Sequence, residues 1–132
     1  MRAASGWMLG AVLMAASFGC SDDDDPSLLW AEWYCSRTRQ CEGITGDSAA
    51  CVSWSHTYDD CTARDAPALH QAERAFWECS LADCALHRAW NEYRESGGEM
   101  PTACRAEREE FEAQWEADET VGRACVERAD GS

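Results

Sequence analysis

The sequence predicts a small all-α domain cross-linked by disulfides, and three features support this prediction. Apolar residues recur at steps of three and four over four segments, which is the spacing of one helix face. No segment shows the alternating pattern of a half-buried strand or a hairpin signal. Cysteine is frequent, with 9 in 132 residues, as in exported domains too small to be stable without cross-links. We therefore expect a disulfide-stapled bundle of about four helices in two hairpins.

The N-terminal segment has the plan of an export signal. Arg2 precedes an apolar run from about Gly6 to Ala16, and this run is too short to be a good membrane span. Small residues and a cysteine follow the run. The pattern predicts a signal peptide over residues 1–19.

The segment ends in Ser17-Phe18-Gly19-Cys20. This ending resembles the lipobox of bacterial lipoproteins, in which the last residue is the lipidated cysteine. Gly19 and Cys20 match the lipobox, whereas Ser17 and Phe18 depart from it, and ordinary cleavage after Ser17 is the alternative. The resemblance implies that Cys20 carries a lipid and that the lipid bilayer is a partner of the protein. It also implies a lipid-anchored protein of the cell envelope. Ser21, and not an aspartate, follows Cys20, which would suit sorting to the outer membrane, at its periplasmic or surface face.

Two further features favour lipidation. Residues 20–27 combine Cys20 with a run of four aspartates and a proline, which predicts an acidic, flexible tether. Setting Cys20 aside leaves eight cysteines, an even number that can pair completely in an oxidising compartment. We assign residues 28–129 to a cysteine-rich helical domain.

The first two predicted helices are short and rich in aromatic residues. Ser27 is the expected N-cap of the first helix, and Gly43 and Gly46 end it. Asp47 is the expected N-cap of the second helix. One face of the first helix carries Trp30, Trp33, Tyr34, Arg37 and Cys41. The inward face of the second helix carries Cys51, Trp54, Tyr58 and Cys61. The opposite, polar face of the second helix carries Ser53, His56, Asp59 and Asp60.

The last two predicted helices are long. The third runs from about Pro67, a first-turn proline, to Glu95, and a stop at Ser96-Gly97-Gly98 follows. The fourth runs from about Thr102, its expected N-cap, to about Arg128. The apolar stripe of the third helix is interrupted only by Asp83 and consists of Leu69, Ala72, Phe76, Cys79, Leu86, Trp90 and Tyr93. The inward residues of the fourth helix are Cys104, Phe111, Trp115, Val121 and Cys125.

Four disulfides are the expected use of the remaining cysteines, which are Cys35, Cys41, Cys51, Cys61, Cys79, Cys84, Cys104 and Cys125. Sequence alone leaves many pairings open. The turn at 43–46 favours a nested arrangement that joins Cys41 to Cys51 and Cys35 to Cys61. Cys104 and Cys125 would lie about 31 Å apart on one continuous helix, which is too far for a bond between them.

Composition and motifs argue for a noncatalytic protein. The formal net charge is −14, which argues against a nucleic-acid partner. No catalytic or cofactor motif and no Cys-x-x-Cys pair occurs, so we expect no enzyme activity and no cofactor. His56, His70 and His87 lack an accompanying nucleophile motif, and histidines on helix surfaces are usually solvated or capping groups.

The sequence leaves two functional hypotheses. The leading one is an envelope lipoprotein that acts as a binding or structural module for a protein or surface ligand. Exposed Trp30, Trp33 and Trp77 would suit a peptide or glycan, although the pattern favours tryptophans that replace missing aliphatic core. The alternative is zinc or copper binding through Cys79, Cys84 and His87, which lie within nine residues of each other.

Overall fold

The structure is a computed structural model that describes residues 25–131, and this part of the chain contains helices and connecting loops but no strand. Its helices are α1 (Pro26–Glu42), α2 (Ala49–Asp65), α3 (Pro67–Ser80), α4 (Cys84–Ser96), α5 (Arg105–Ala117) and α6 (Glu119–Asp130). The predicted all-α class is confirmed, but residues 25–131 form six helices and not about four. The predicted signal peptide, Cys20 and most of the tether lie outside the described residues.

The predicted third helix is divided into α3 and α4 at residues 81–83. Asp83 has extended backbone angles, and its side chain accepts a hydrogen bond from the Ala85 backbone N–H. Leu81 is fully buried, and its carbonyl oxygen accepts a hydrogen bond of 2.7 Å from Arg37 Nε of α1. The exposed carbonyl of Ala82 accepts a second bond from Arg37, at 3.2 Å. The interruption is therefore stabilised by a side chain from another helix, which periodicity cannot reveal.

The predicted fourth helix is divided into α5 and α6 at Asp118, whose φ and ψ are −114° and 24°. A short bend follows Ala117, and α6 begins at the next residue, Glu119. Cys104 and Cys125, at the two ends of this region, are bonded to different helices. Because of the bend, the two halves of this region run in different directions, and Cys104 bonds to α3 while Cys125 bonds to α2.

Several helix ends agree with the sequence, but three expected N-caps do not; one of them is Asp47, because the N-cap of α2 is Ser48. Gly43 and Gly97 end α1 and α4 in the left-handed conformation, and Pro67 occupies the first turn of α3. The N-cap of α1 is Asp25, whose side chain accepts from the Ser27 and Leu28 backbone N–H groups, so Ser27 lies inside the helix. α5 begins after Cys104, which has a φ of 67° and is the N-cap in place of the expected Thr102.

All eight cysteines of residues 25–131 are paired, which confirms the four disulfides. The bonds are Cys35–Cys51, Cys41–Cys84, Cys61–Cys125 and Cys79–Cys104. The nested arrangement expected for the first two helices is wrong. Cys35 and Cys41 are six residues apart, which separates their directions around α1 by about 120°. Only Cys35 therefore faces α2, and Cys41 reaches α4.

Two small clusters form part of the core. One joins Tyr58, Cys61, Cys125 and Ala129 between α2 and α6. The other joins Phe76, Trp90 and Cys104. α2 packs against α1, α3 and α6, and α3 packs against α5. Across residues 25–131, no helix has both the length and the apolar character needed to span a bilayer.

Candidate functional site: an aromatic cleft with buried charges

A cleft of about 570 Å³ lies among α1, α2, α3, α5 and α6. This volume is typical of small-molecule sites. Seven aromatic side chains line it: Trp30, Tyr34, Trp54, Tyr58, Trp77, Phe111 and Trp115. Five carboxylate residues and three basic residues also reach the cleft. The site is therefore an aromatic cavity with charged groups in its walls.

Two stacked aromatic pairs form walls of the cleft. Trp30 and Tyr34 of α1 have ring centroids 5.2 Å apart and planes inclined by 14°. Trp54 and Tyr58 of α2 have the same separation and inclination. Both pairs are spaced i, i+4, which places two side chains on one side of a helix. Trp77 of α3 meets Tyr34 edge-on at 5.3 Å.

Asp59 anchors a charge network in the wall of the cleft. Its side chain is 5% exposed, and Arg74 binds it through two nitrogens at 2.7 and 3.2 Å. His70 Nε2 lies 3.0 Å from Asp59 Oδ1. Burial opposes the ionisation of Asp59, but the contacts with His70 and Arg74 outweigh it and lower the pKa to about 2. Asp59 is therefore ionised at neutral pH, with Arg74 as its cationic partner and His70 as a second hydrogen-bonding partner.

Glu73 lies one helical turn before Trp77 and has no cation bound to it. Its Oε1 accepts a hydrogen bond of 2.9 Å from the Tyr58 hydroxyl, and Trp77 provides a second hydrogen bond. Burial raises the pKa of Glu73 to about 7, although both hydrogen bonds favour the ionised form. The carboxyl group thus changes its charge near neutral pH.

The opposite wall of the cleft comes from α5 and α6. Arg108 Nε donates to Glu112 at 2.8 Å, and the guanidinium lies 5.6 Å from the ring centroid of Phe111. Trp115 packs on Gly122 so closely that a Cβ built there would lie 2.6 Å from the indole ring. The missing side chain at Gly122 thus fixes the position of one aromatic wall.

The structure separates the tryptophans that the sequence singled out. Trp30 and Trp77 line the cleft, whereas Trp33 lies outside it and is 38% exposed. The preferred interpretation, tryptophan as a substitute for aliphatic core, fits Trp90, which is 4% exposed. Trp77 also packs against the core cluster around Phe76 while it lines the cleft, and Trp30 is partly buried.

The three histidines and the proposed metal ligands have separate environments. His70 lies in the cleft wall, while His56 Nε2 contacts Asp25 at 3.1 Å. His87 is 3% exposed, and its Nε2 lies 3.2 Å from Glu42 Oε2. Cys79 and Cys84 belong to different disulfides. These two sulfurs are therefore not thiolates that could join His87 around a metal ion.

One further group within residues 25–131 has the spacing of metal ligands. Cys61, Asp65 and Cys125 bring potential ligand atoms within 4.8 Å of one another. Cys61 and Cys125 are bonded to each other, however. A disulfide sulfur is a poor ligand compared with a thiolate, so the grouping reflects the cross-link.

Sequence reasoning missed the charged residues of the cleft. The sequence predicts Asp59 on the solvent side of its helix, but the residue as a whole is only 3% exposed. Its partner Arg74 belongs to another helix, so no local pattern in the sequence reveals the pair. Glu73 did leave a signal. It follows Leu69 by four residues and precedes Phe76 by three, so it lies on the inward face of α3.

Comparison of the chain with protein-family models, with curated proteins and with solved structures gives no match. The function must therefore be inferred from the cleft and from the sequence.

Proposed function

We propose that this chain is a noncatalytic, lipid-anchored protein of the bacterial cell envelope, and that its acidic helical domain binds a small ligand in the aromatic cleft. The N-terminal part of the proposal rests on the signal-peptide pattern and on Cys20. The binding part rests on the cleft itself.

The observation that carries the binding proposal is the combination of volume and lining. A cavity of about 570 Å³ lined by seven aromatic side chains and a small number of charged groups has the size and the lining that are typical of sites for small organic molecules. The charged groups suit recognition better than catalysis. Asp59 is held by Arg74 and His70, and Glu73 by Tyr58, so no cleft group pairs a nucleophile with a free base.

The metal-handling alternative requires free thiols. Disulfides use all eight cysteines between residues 25 and 131. A count of thiols that react before reduction separates the two functions. We expect none for the binding module, and two or more, together with bound zinc or copper, for metal handling.

Intact mass tests the anchor. We expect protein recovered from its native envelope to begin at Cys20 and to carry a diacylglyceryl and an acyl group. Eight cysteines should become alkylated only after reduction. An unmodified chain that begins at Phe18 would show ordinary cleavage after Ser17 and would remove the anchor from the proposal.

Indole N–H signals in NMR spectra test the cleft. The purified mature protein is titrated with fractions of a small-molecule extract from the envelope. A fraction that contains the ligand should shift the signals of Trp30, Trp54, Trp77 and Trp115 but not that of Trp33. Trp30→Ala should abolish these shifts, and Trp33→Ala, the same substitution on the same helix but outside the cleft, should preserve them. If no fraction shifts the cleft indoles selectively, the binding proposal is wrong.

A further inference from the structure

We propose that the ligand of the cleft is a small organic cation, whose ammonium group lies against the aromatic faces beside the carboxylate of Glu73. This inference rests on the proposed binding function and names the ligand class for the same site. Charge, ring geometry and size support it separately.

The charges of the cleft are unequally matched. Carboxylates come from Asp59, Glu73, Glu112, Glu116 and Glu119, and basic groups from His70, Arg74 and Arg108. The basic groups are already engaged, because Arg74 and His70 bind Asp59 and Arg108 binds Glu112. Glu119 is paired with Arg123. Glu73 has hydrogen-bond donors but no bound cation. Glu116 has no bound cation either, but it is exposed to solvent, whereas Glu73 is partly buried. Glu73 is therefore the partly buried carboxylate of the cleft that an additional positive charge would match.

The aromatic walls attract the same kind of group. The face of an aromatic ring is electron-rich, and substituted ammonium ions bind in cages of such rings. The domain already uses this interaction, since the Arg74 guanidinium lies 5.0 Å from the centroid of the Trp30 ring. Trp54 and Tyr58 add a second stacked wall, and Tyr58 also donates to Glu73. The carboxylate and the ring faces thus meet at Tyr58.

The size of the cleft selects a small ligand. About 570 Å³ holds a compact molecule of drug-like size or smaller. A neutral apolar molecule would bury the carboxylate of Glu73 further without giving it a counter-charge, and an anion would be repelled by the surplus of carboxylates. An organic cation satisfies both the ring faces and the carboxylate.

Choline and its neutral carbon isostere, 3,3-dimethylbutan-1-ol, give a matched test. They have the same shape and differ in one charge. The mature protein in a nonionic detergent is titrated at pH 8 with each compound, and the cleft indole signals report binding. We expect choline to bind about tenfold or more tightly than the isostere, as a cation held by rings and a carboxylate should.

Two glutamine variants of α3 locate the charge. Glu73→Gln keeps a hydrogen-bond acceptor for Tyr58 but removes the negative charge, and should weaken choline binding about tenfold. Glu78→Gln makes the same change on the exposed side of the same helix and should leave affinity within about twofold, because exposed charges are screened. Circular dichroism confirms that both variants are folded.

The outcomes separate this inference from the proposed function. Equal affinity for choline and its isostere, or unchanged binding in Glu73→Gln, overturns the cationic ligand. If choline fails but an envelope fraction still shifts the cleft indoles, the inference is wrong and the binding function stands. If neither produces a shift, both are wrong.

Discussion

Asp59 and Glu73 are carboxylates of one cleft, yet their pKa values move in opposite directions. Asp59 has Arg74 and His70 as partners, which overcome its burial and hold the pKa at about 2. Glu73 has only neutral hydrogen-bond donors, so burial dominates and raises the pKa to about 7. The presence or absence of a cationic partner therefore decides whether the pKa of each carboxyl group is lowered or raised. The other ionisable groups that line the same cleft are Tyr34 on α1, Tyr58 on α2, Arg108, Glu112 and Glu116 on α5, and Glu119 on α6.

Glu73→Gln should stabilise the domain at high pH. Because folding raises the pKa of Glu73 from 4.5 to about 7, the folded state binds an extra proton between these values. The stability due to protonated Glu73 is complete below pH 4.5 and is lost as pH rises through 7. The variant should therefore gain up to about 3 kcal/mol at pH 8 and little at pH 4. Urea unfolding at both pH values measures the difference.

Glu78→Gln is the control for that measurement, since Glu78 is exposed on the same helix. It should change the unfolding free energy by less than about 0.5 kcal/mol at either pH. A gain for Glu73→Gln that is equal at pH 4 and pH 8 would contradict a raised pKa.

Gly122→Ala should move Trp115. The new Cβ would lie 2.6 Å from the Trp115 ring, closer than atoms can pack. Overpacking of this kind costs about 1–3 kcal/mol, partly offset by the better helix propensity of alanine, which contributes about 1 kcal/mol. We expect a lower unfolding free energy and a shifted Trp115 indole signal.

A second pair of variants checks that Trp115 is the cause. With Trp115→Leu in place, Gly122→Ala should instead stabilise the domain by about 1 kcal/mol, because only the helix propensity remains. If Gly122→Ala has the same effect in both backgrounds, the two residues are not coupled and the close contact is not what requires glycine.

At the scale of the helices, side-chain contacts decide where helices end inside the predicted long segments. α4 begins because Asp83 caps the Ala85 N–H at 2.9 Å, and the residues before it are held by Arg37 of α1. Ser48, the N-cap of α2, makes no side-chain cap; there Asp47 accepts from the Ala49 N–H instead. The two helix starts thus offer a matched comparison.

Asp83→Ala should lower the unfolding free energy by about 1 kcal/mol, the usual effect of losing a capping carboxylate. Ser48→Ala should change it by less than about 0.5 kcal/mol, because no cap hydrogen bond is lost. Chemical denaturation of both variants under oxidising conditions measures the effect. Equal losses would mean that Asp83 does not act through its cap.

At the scale of the whole molecule, the disulfides join segments that are far apart in sequence. Cys61–Cys125 closes a separation of 64 residues and links α2 to α6, whereas Cys35–Cys51 closes one of 16 residues. The buried hydrophobic residues form only a small core. Cross-links of this kind supply stability that burial alone does not give a domain of this size.

Removing the disulfide that closes the longer loop should lower the free energy of unfolding more than removing the one that closes the shorter loop. Chain entropy predicts a loss of about 4 kcal/mol for Cys61→Ala/Cys125→Ala and about 3 kcal/mol for Cys35→Ala/Cys51→Ala. Thermal unfolding of the two double variants compares them, with alkylation to show that the other three bonds remain. A larger loss for the shorter bond would show that local packing, and not loop length, sets the contribution.

The sequence by itself determined the all-α class, the use of eight cysteines in disulfides, the glycine ends of α1 and α4, and the start of α3 at Pro67. These features follow from short-range chemistry: helical periodicity, an even cysteine count, and residues that favour or end a helix. The aromatic pairs of α1 and α2 were also visible as i, i+4 spacings, but the sequence could not show that they face a cleft.

Only the tertiary structure decided the pairing of the cysteines, the two interruptions of the long helices, and the charged wall of the cleft. Each of these features depends on a contact between residues that are distant in sequence. Arg37 donates hydrogen bonds to the carbonyl groups of Leu81 and Ala82. Cys41 forms a disulfide with Cys84, and Arg74 forms an ion pair with Asp59. Periodicity gives the face of a residue on its own helix but not the neighbour opposite that face. A buried aspartate next to a distant arginine therefore looks, in sequence, like a residue on a solvated surface.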